Sequence, residues 1–366
     1  MYRGRKLRIA QVAPLFVRVP PARYGGTERV ISVLTEELVR RGHDVTLFAA
    51  GTSVTSGRLR CGSPLPLWDI ASHHRIAYQV AQVEDVVDLA ARFDVIHWHT
   101  DYMHLLVDGA ARRRSITTLH GRLDGECVRK LLGRHSREPL VSISDAQRRP
   151  LADLGLNWVA TVHHGLDLAH TYRLGPGDGG YLAFVGRSTP DKDLATAIRV
   201  AIRSGLPIKI AARIDPNNIA YHETEVEPLL GHSLVDWLGE TTEGETAMLL
   251  EHALAFLMPL GWEEPFGLSF IEALAAGTPV VARPLGALPE LMRDGRHGFF
   301  GETEAELATA CQSVASINRL SCRRWALERF SAERMAEDYE RAYEAVLSGS
   351  AAAMATPSEA SKDLST

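Results

Sequence analysis

Residues 263–282 read EEPFGLSFIEALAAGTPVVA. Pro265 and Gly267 prevent a helix from running through Glu264, which places Glu264 on a loop. Leu268 to Ala276 then form a short helix, apolar nearly all round and therefore buried. Gly277 stops it, and TPVVA returns as a strand. Strands alternating with helices in this way signal a parallel sheet covered by helices.

The alternation extends in both directions. In the first half LRIAQVAP, DVTLFAA, DVIHWH, SITTLH and PLVSIS read as strands, and TERVISVLTEELVRRGH as an amphipathic helix closed by Gly42. The second half restarts with YLAFVG, PIKIAA, HALAFLMP and TPVVA. Between them HHGLDLAHTYRLGPGDGG, rich in Gly and turn residues from Leu174 onward, sets a boundary near residues 166–180. SAERMAEDYERAYEAVL (331–347) opens on a helix-start Ser and keeps helical spacing. After it the composition is low in complexity, and residues 349–366 are read as a disordered tail. The fold class is α/β, with two doubly wound domains.

The totals agree. A chain of 366 residues suits two domains of about 150 each. A formal charge of −5 argues against a nucleic-acid partner. Cys61, Cys127, Cys311 and Cys322 form no C-x-x-C pair, so they read as reduced thiols of a cytoplasmic protein. MYRGRKLRIAQVAP is basic and then apolar, but Arg8, Gln11 and Pro14 interrupt it; it reads as a first strand, Leu7 to Ala13, rather than a leader. No stretch approaches the ~18 apolar residues of a membrane span.

The quoted stretch also carries chemistry. Backbone N–H groups from Phe266 through Gly267 and Leu268 to Ser269 lie at a helix start, where donors lack intrahelical partners and the dipole favours an anion. Glu272 sits one turn in, where a carboxylate suits vicinal hydroxyls such as a ribose. Glu264 would face whatever is attached to the bound phosphate. The alternative is that Glu264 caps the helix and Glu272 is a satisfied buried acid.

In FVGRSTPDKD, Arg187 and Lys192 follow a strand directly, at the carboxyl end where open α/β sheets bind ligands, and could neutralise a diphosphate. Gly25 and Gly26 in PPARYGGTERV permit close approach to a phosphate, or form only a turn. No G-x-G-x-x-G follows a strand, against a nicotinamide dehydrogenase. His97 and His99, with Asp101 and His104 nearby, form either a metal site or, as we read them, polar residues at a sheet end. His120 closes SITTLH at a strand's carboxyl end, where it can reach substrate. His163 and His164 receive no role from spacing. From Arg112 to Arg149 ten Lys/Arg face four Asp/Glu. Solvated faces account for this run, with a phosphorylated or membrane-surface acceptor as the alternative.

Taken in order, YGGTERV, DVIHWHTD, TLHG, VSISDAQ, HHGLD, FVGRSTPDK and the E-x7-E motif from Glu264 to Glu272 resemble the retaining glycosyltransferases of family 4. That family has the GT-B fold, two Rossmann-like domains facing across a cleft. The resemblance runs from Leu7 to about residue 347. It implies an acceptor-side domain over 1–168, a nucleotide-sugar-binding domain over 174–330, and a final helix, 331–347, packing back on the first.

The resemblance further implies a UDP-, GDP- or ADP-sugar donor and transfer of a hexosyl group to a glycan, lipid-linked or small-molecule acceptor. Glu272 would bind the ribose, Glu264 the transferred sugar, and His120 the sugar from the N-terminal domain. Arg187 and Lys192 would clamp the diphosphate with help from Gly26 and the Phe266–Leu268 backbone. The pattern requires neither metal nor cofactor. It also implies a cytoplasmic enzyme, at the inner membrane face if the basic stretch makes peripheral contact. Acceptor choice is expected in loops 14–26, 52–75 and 100–137. The chain departs from the pattern in three places: Asp193 stands where Gly is usual after the lysine, KIAARIDP lacks a glycine near the base, and His164 replaces an Asn before the glycine. A non-catalytic nucleotide-sugar-binding partner subunit, or a GT-B epimerase or phosphorylase, are the competing readings.

Overall fold

The computed structural model describes residues 5–23, 25–107, 109 and 111–349. Tyr24 of the glycine loop, part of loop 100–137 and the tail from residue 350 lie outside the described residues. Contacts divide the chain into two units, each built on one parallel sheet. Of the described residues, the first holds those up to Ile143, Arg148–Val162 and 335–349; the second holds Ser144–Gln147 and His163–Arg334.

The first sheet comprises β1 (Arg8–Val12), β2 (Asp44–Ala50), β3 (Arg58–Ser63), β4 (Val95–Trp98), β5 (Ser115–Thr118), β6 (Leu140–Ser142) and β7 (Trp158–Thr161). Their order is β3-β2-β1-β4-β5-β6-β7, all parallel. The second comprises β8 (Leu182–Ser188), β9 (Ile208–Ile214), β10 (Val235–Gly239), β11 (Ala255–Met258), β12 (Val280–Ala282) and β13 (Gly298–Phe300), in the order β10-β9-β8-β11-β12-β13. In both, the order reverses beside the unit's first strand, between β1 and β4 and between β8 and β11. Loops diverge there and open a crevice at the strands' carboxyl ends.

The inner strands are apolar because helices cover both faces. Phe48, Ile96 and Trp98 pack with Val86 and Phe93 on one side of the first sheet, and Ile31, Leu47 and Val19 form a separate cluster. The helix Gly26–Arg40 ends as its sequence predicts, with Gly42 left-handed at φ 92°. Among the described residues no helix is long and apolar enough to cross a membrane.

Two boundaries shift with consequences. β8 continues to Ser188 because Arg187 and Ser188 still pair with Arg213 and Ile214 of β9, so Arg187 lies within the strand rather than after it. β5 stops at Thr118, so His120 lies two residues beyond the strand instead of closing it.

Candidate active site

In the second unit the chain leaving β8 turns through Ser188–Asp193 into the helix Leu194–Ser204, and the chain leaving β11 runs through Pro259–Gly267 into the helix Leu268–Ala275. These are the two loops that flank the switch point of this sheet. They meet: the Lys192 ammonium is in hydrogen-bonding contact with Glu264 Oε2, which also accepts 3.0 Å from Trp262 Nε1. Lys192 lies over the Trp262 ring, 5.5 Å from its centre. Gly261 N donates to Asp191 O at 2.8 Å, tying the loops at the backbone.

Glu264 is buried, 7% exposed, and does not cap the helix; Gly267 occupies the N-cap position, left-handed at φ 94°. The capping alternative for Glu264 is therefore set aside. Glu272 is 4% exposed, in the second turn of the same helix. Arg187 Nη1 donates to Asp215 Oδ2 at 3.0 Å, and its Nη2 lies 3.4 Å from Asp191 Oδ2. Burial pushes the Asp215 carboxyl up. The bond from Asn217 N and the charge of Arg187 outweigh burial and hold it below the usual carboxylate range.

The Glu264 loop is held by residues to which the sequence reading gave no role. Ser144 Oγ donates to Pro265 O at 2.6 Å, Ala287 N to Glu264 O at 2.8 Å, and Gly286 N to Glu263 Oε2 at 2.6 Å. Gly286 is left-handed at φ 60°, and a Cβ there would strike the backbone of Glu263 and Glu264. Glu290 accepts from the backbone N–H of Asp145 and Ala146 (2.9 and 2.7 Å) and lies 3.1 Å from His163 Nε2. His163 and His164 back onto Phe266, with ring centres 5.8 and 4.9 Å away. The Gly-x-x-Pro-Glu run 286–290 was the signal available for this group.

In the first unit Gly25 and Gly26 follow β1, beside the other switch point, and His120 follows β5, one strand further along the sheet. His97 Nδ1 lies 2.9 Å from Tyr343 Oη and its Nε2 2.7 Å from Thr118 Oγ1. His99 Nε2 lies 2.7 Å from Gln11 Oε1 and its Nδ1 2.8 Å from His120 Nε2. His104 instead reaches Thr117 Oγ1 at 2.7 Å and stacks on Trp98. Thr117 and Thr118 project to opposite faces of β5, so the sheet separates His104 from His97 and His99. Burial lowers His120 to about 3 and holds His97 well below the usual range, so both rings are neutral. At Gly25 a Cβ would lie 2.8 Å from Pro21 Cβ and 3.0 Å from Glu28 Oε2, a packing reason for glycine. Glu28, missed in the sequence, is buried here, and burial raises its pKa.

Residues 24–170 match the family described as Glycosyltransferase Family 4, and residues 174–326 match Glycosyl transferases group 1. The chain belongs to glycosyltransferase family 4. Glycogen synthase of Mycobacterium tuberculosis is 25% identical over 378 residues, covering 88% of this chain and 89% of that one. Phosphatidyl-myo-inositol mannosyltransferase of Mycolicibacterium smegmatis is 26% identical over 328 residues, covering 80% of each. HepE of Anabaena, solved in complex with UDP and glucose, has the same fold: TM-score 0.71 at 17% identity, over 93% of this chain and 100% of that one.

Within this family 4 glycosyltransferase two departures from the pattern have local causes. Asp193 adopts φ 50°, the left-handed conformation that glycine takes most readily and aspartate tolerates. His164 fills space against Phe266.

Proposed function

We propose that this glycosyltransferase moves a hexosyl group, with retention, from a UDP-, GDP- or ADP-sugar to a glycan, lipid-linked or small-molecule acceptor. The observation that carries the reading is the contact of Lys192 with Glu264 at the switch point of the second sheet. A cation suited to a phosphate and a carboxylate suited to sugar hydroxyls touch where the sugar–phosphate bond of a donor would lie.

Lys192 and Arg187 meet the charge that develops on the β-phosphate as its bond to the anomeric carbon lengthens. Backbone N–H groups of Phe266, Gly267 and Leu268 cradle the same phosphate at the helix start, and the Gly25–Gly26 turn approaches it. Glu272 accepts from ribose hydroxyls. Glu264 hydrogen-bonds the transferred sugar, and the neutral His120 ring contacts one of its hydroxyls. The acceptor hydroxyl attacks on the face the diphosphate leaves, and its proton passes to the departing phosphate oxygen. The reading assigns no metal and no cofactor. A relative in fold solved with UDP and glucose supports it.

We place the reaction in the cytoplasm, where Cys61 and Cys127, both exposed, stay reduced. For a lipid-linked acceptor, peripheral membrane contact would run through the basic stretch 112–149. There Arg112, Arg122 and Arg129 already pair with Glu138, Asp124 and Asp153. Co-sedimentation with anionic vesicles tests that contact.

Thermal unfolding of wild type and Glu272→Ala with UDP, GDP and ADP, each with and without EDTA, tests the donor reading. At 100 times its dissociation constant a ligand stabilises by about 2.7 kcal/mol, a shift of several degrees. We expect one nucleotide to stabilise the wild type regardless of EDTA, with the effect lost in the variant. No shift with any nucleotide would overturn the donor site.

A further inference from the structure

The guanidinium of Arg283 joins three strand ends. Arg283 directly follows β12, and its Nη1 lies 2.9 Å from Asp193 Oδ2 while donating to the carbonyls of Pro259 (2.9 Å) and Leu260 (2.8 Å). Pro259 and Leu260 continue β11, and Asp193 ends the turn that follows β8. These three strands are neighbours in the sheet.

Two of the residues so joined have left-handed backbone although neither is glycine: Asp193 at φ 50° and the fully buried Leu260 at φ 37°. Such conformations cost on the order of 1–3 kcal/mol and persist only where surroundings over-determine them. Lys192 precedes Asp193, and Trp262 and Glu264 follow Leu260. The backbone bond from Gly261 N to Asp191 O closes the other side of the same junction. At position 193 glycine would adopt the conformation freely but would offer Arg283 no carboxylate.

We infer that Arg283 and Asp193 form a positioning pair that sets Lys192 at its working distance from the Glu264 loop. The inference rests on the reading of Lys192 as a ligand of the donor's diphosphate. Neither residue of the pair is assigned a contact with substrate.

The test compares binding of nucleoside diphosphates (UDP, GDP, ADP) with the matching monophosphates by calorimetry. In the wild type the base that binds should bind more tightly as the diphosphate, because only the diphosphate brings a second phosphate to Lys192. Asp193→Gly keeps the left-handed backbone and removes the carboxylate; Arg283→Ala removes the other partner. Each should cut the diphosphate preference about tenfold, the equivalent of one lost charged contact of about 1.4 kcal/mol. Monophosphate binding should stay within a factor of about two, and the double variant should be no worse than either single one. Arg283→Lys should recover part of the preference.

Equal weakening of mono- and diphosphate binding would reduce the pair to a general structural role and overturn the proposal. So would full preference in Asp193→Gly. A wild type with no preference for the diphosphate would instead remove the role of Lys192 itself, and this proposal with it.

Discussion

A lysine already in contact with a carboxylate offers little net charge to an incoming phosphate. In this glycosyltransferase Lys192 meets Glu264, and Arg187 meets Asp215 and Asp191, so both cations of the proposed clamp exchange partners when a donor binds. Glu264→Gln should therefore bind free nucleoside diphosphate more tightly, by about tenfold for one released charged interaction. Its transfer rate should fall by about 10²–10³. Calorimetry and turnover on the same preparation separate the two effects; weaker diphosphate binding would show that Glu264 helps hold the donor rather than competing with it. Gly286→Ala should lower stability by about 1–3 kcal/mol through its left-handed backbone and displaced loop, read as a reduced midpoint in urea. At this scale Glu264, Glu272, Arg187 and Lys192 stood out in the sequence as chemical types in suggestive settings. Their pairing did not, because Lys192 and Glu264 are 72 positions apart and no local spacing encodes a loop-to-loop contact.

The elements divide cleanly by position in their sheets. All nine strands read from the sequence are interior: β1, β2, β4, β5 and β6 in the first sheet, and β8, β9, β11 and β12 in the second. The four that escaped notice, β3, β7, β10 and β13, are the four edges. An interior strand of a parallel sheet is covered on both faces and becomes a continuous apolar run, whereas an edge is short or polar to avoid pairing with other chains. RLRCGS of β3 carries two arginines in six residues, and β13 is three residues long. The helix 268–275 was legible because its whole circumference is buried and a glycine stands at each end. Among the helices, Arg319–Arg329 makes an element-scale prediction. Arg319 donates 2.9 Å bonds to the carbonyls of Gly175, Ala253 and Glu251 and to Thr278 Oγ1. Arg319→Ala would remove this donor from all four acceptors, of which the Glu251 carbonyl keeps the Gly177 N–H, and should cost about 3 kcal/mol or more, seen as early loss of the second unit's signal in urea.

At the scale of the molecule, the imidazoles that burial holds below their ordinary value are unevenly shared among the described residues. Burial lowers His104 and His120 to about 3 and His97 well below its ordinary value, all in the first unit; in the second, burial and neighbouring arginines bring His297 to about 4. The unfolded chain takes up these protons from about pH 6.5 downward, before the folded one does. Their contribution is thus fully present above pH 6.5 and is lost as pH falls towards 3, by up to about 1.4 kcal/mol per histidine per pH unit. The first unit should yield first in acid, and hydrogen exchange at pH 7 and pH 5.5 should show β4 and β5 losing more protection than β8 and β11. The reverse order would show that carboxylates, not histidines, govern acid stability. One further trait of the first unit bears on how the protein is made. Tyr339 and Tyr343, fully buried in it, supply bonds to Thr118, His97 and Gln11, yet both are synthesised only after the whole of the second unit. The unit begun first must wait until the second has been translated before its polar interior is complete, and a nonsense codon near position 330, although it falls within the second unit, would damage the first.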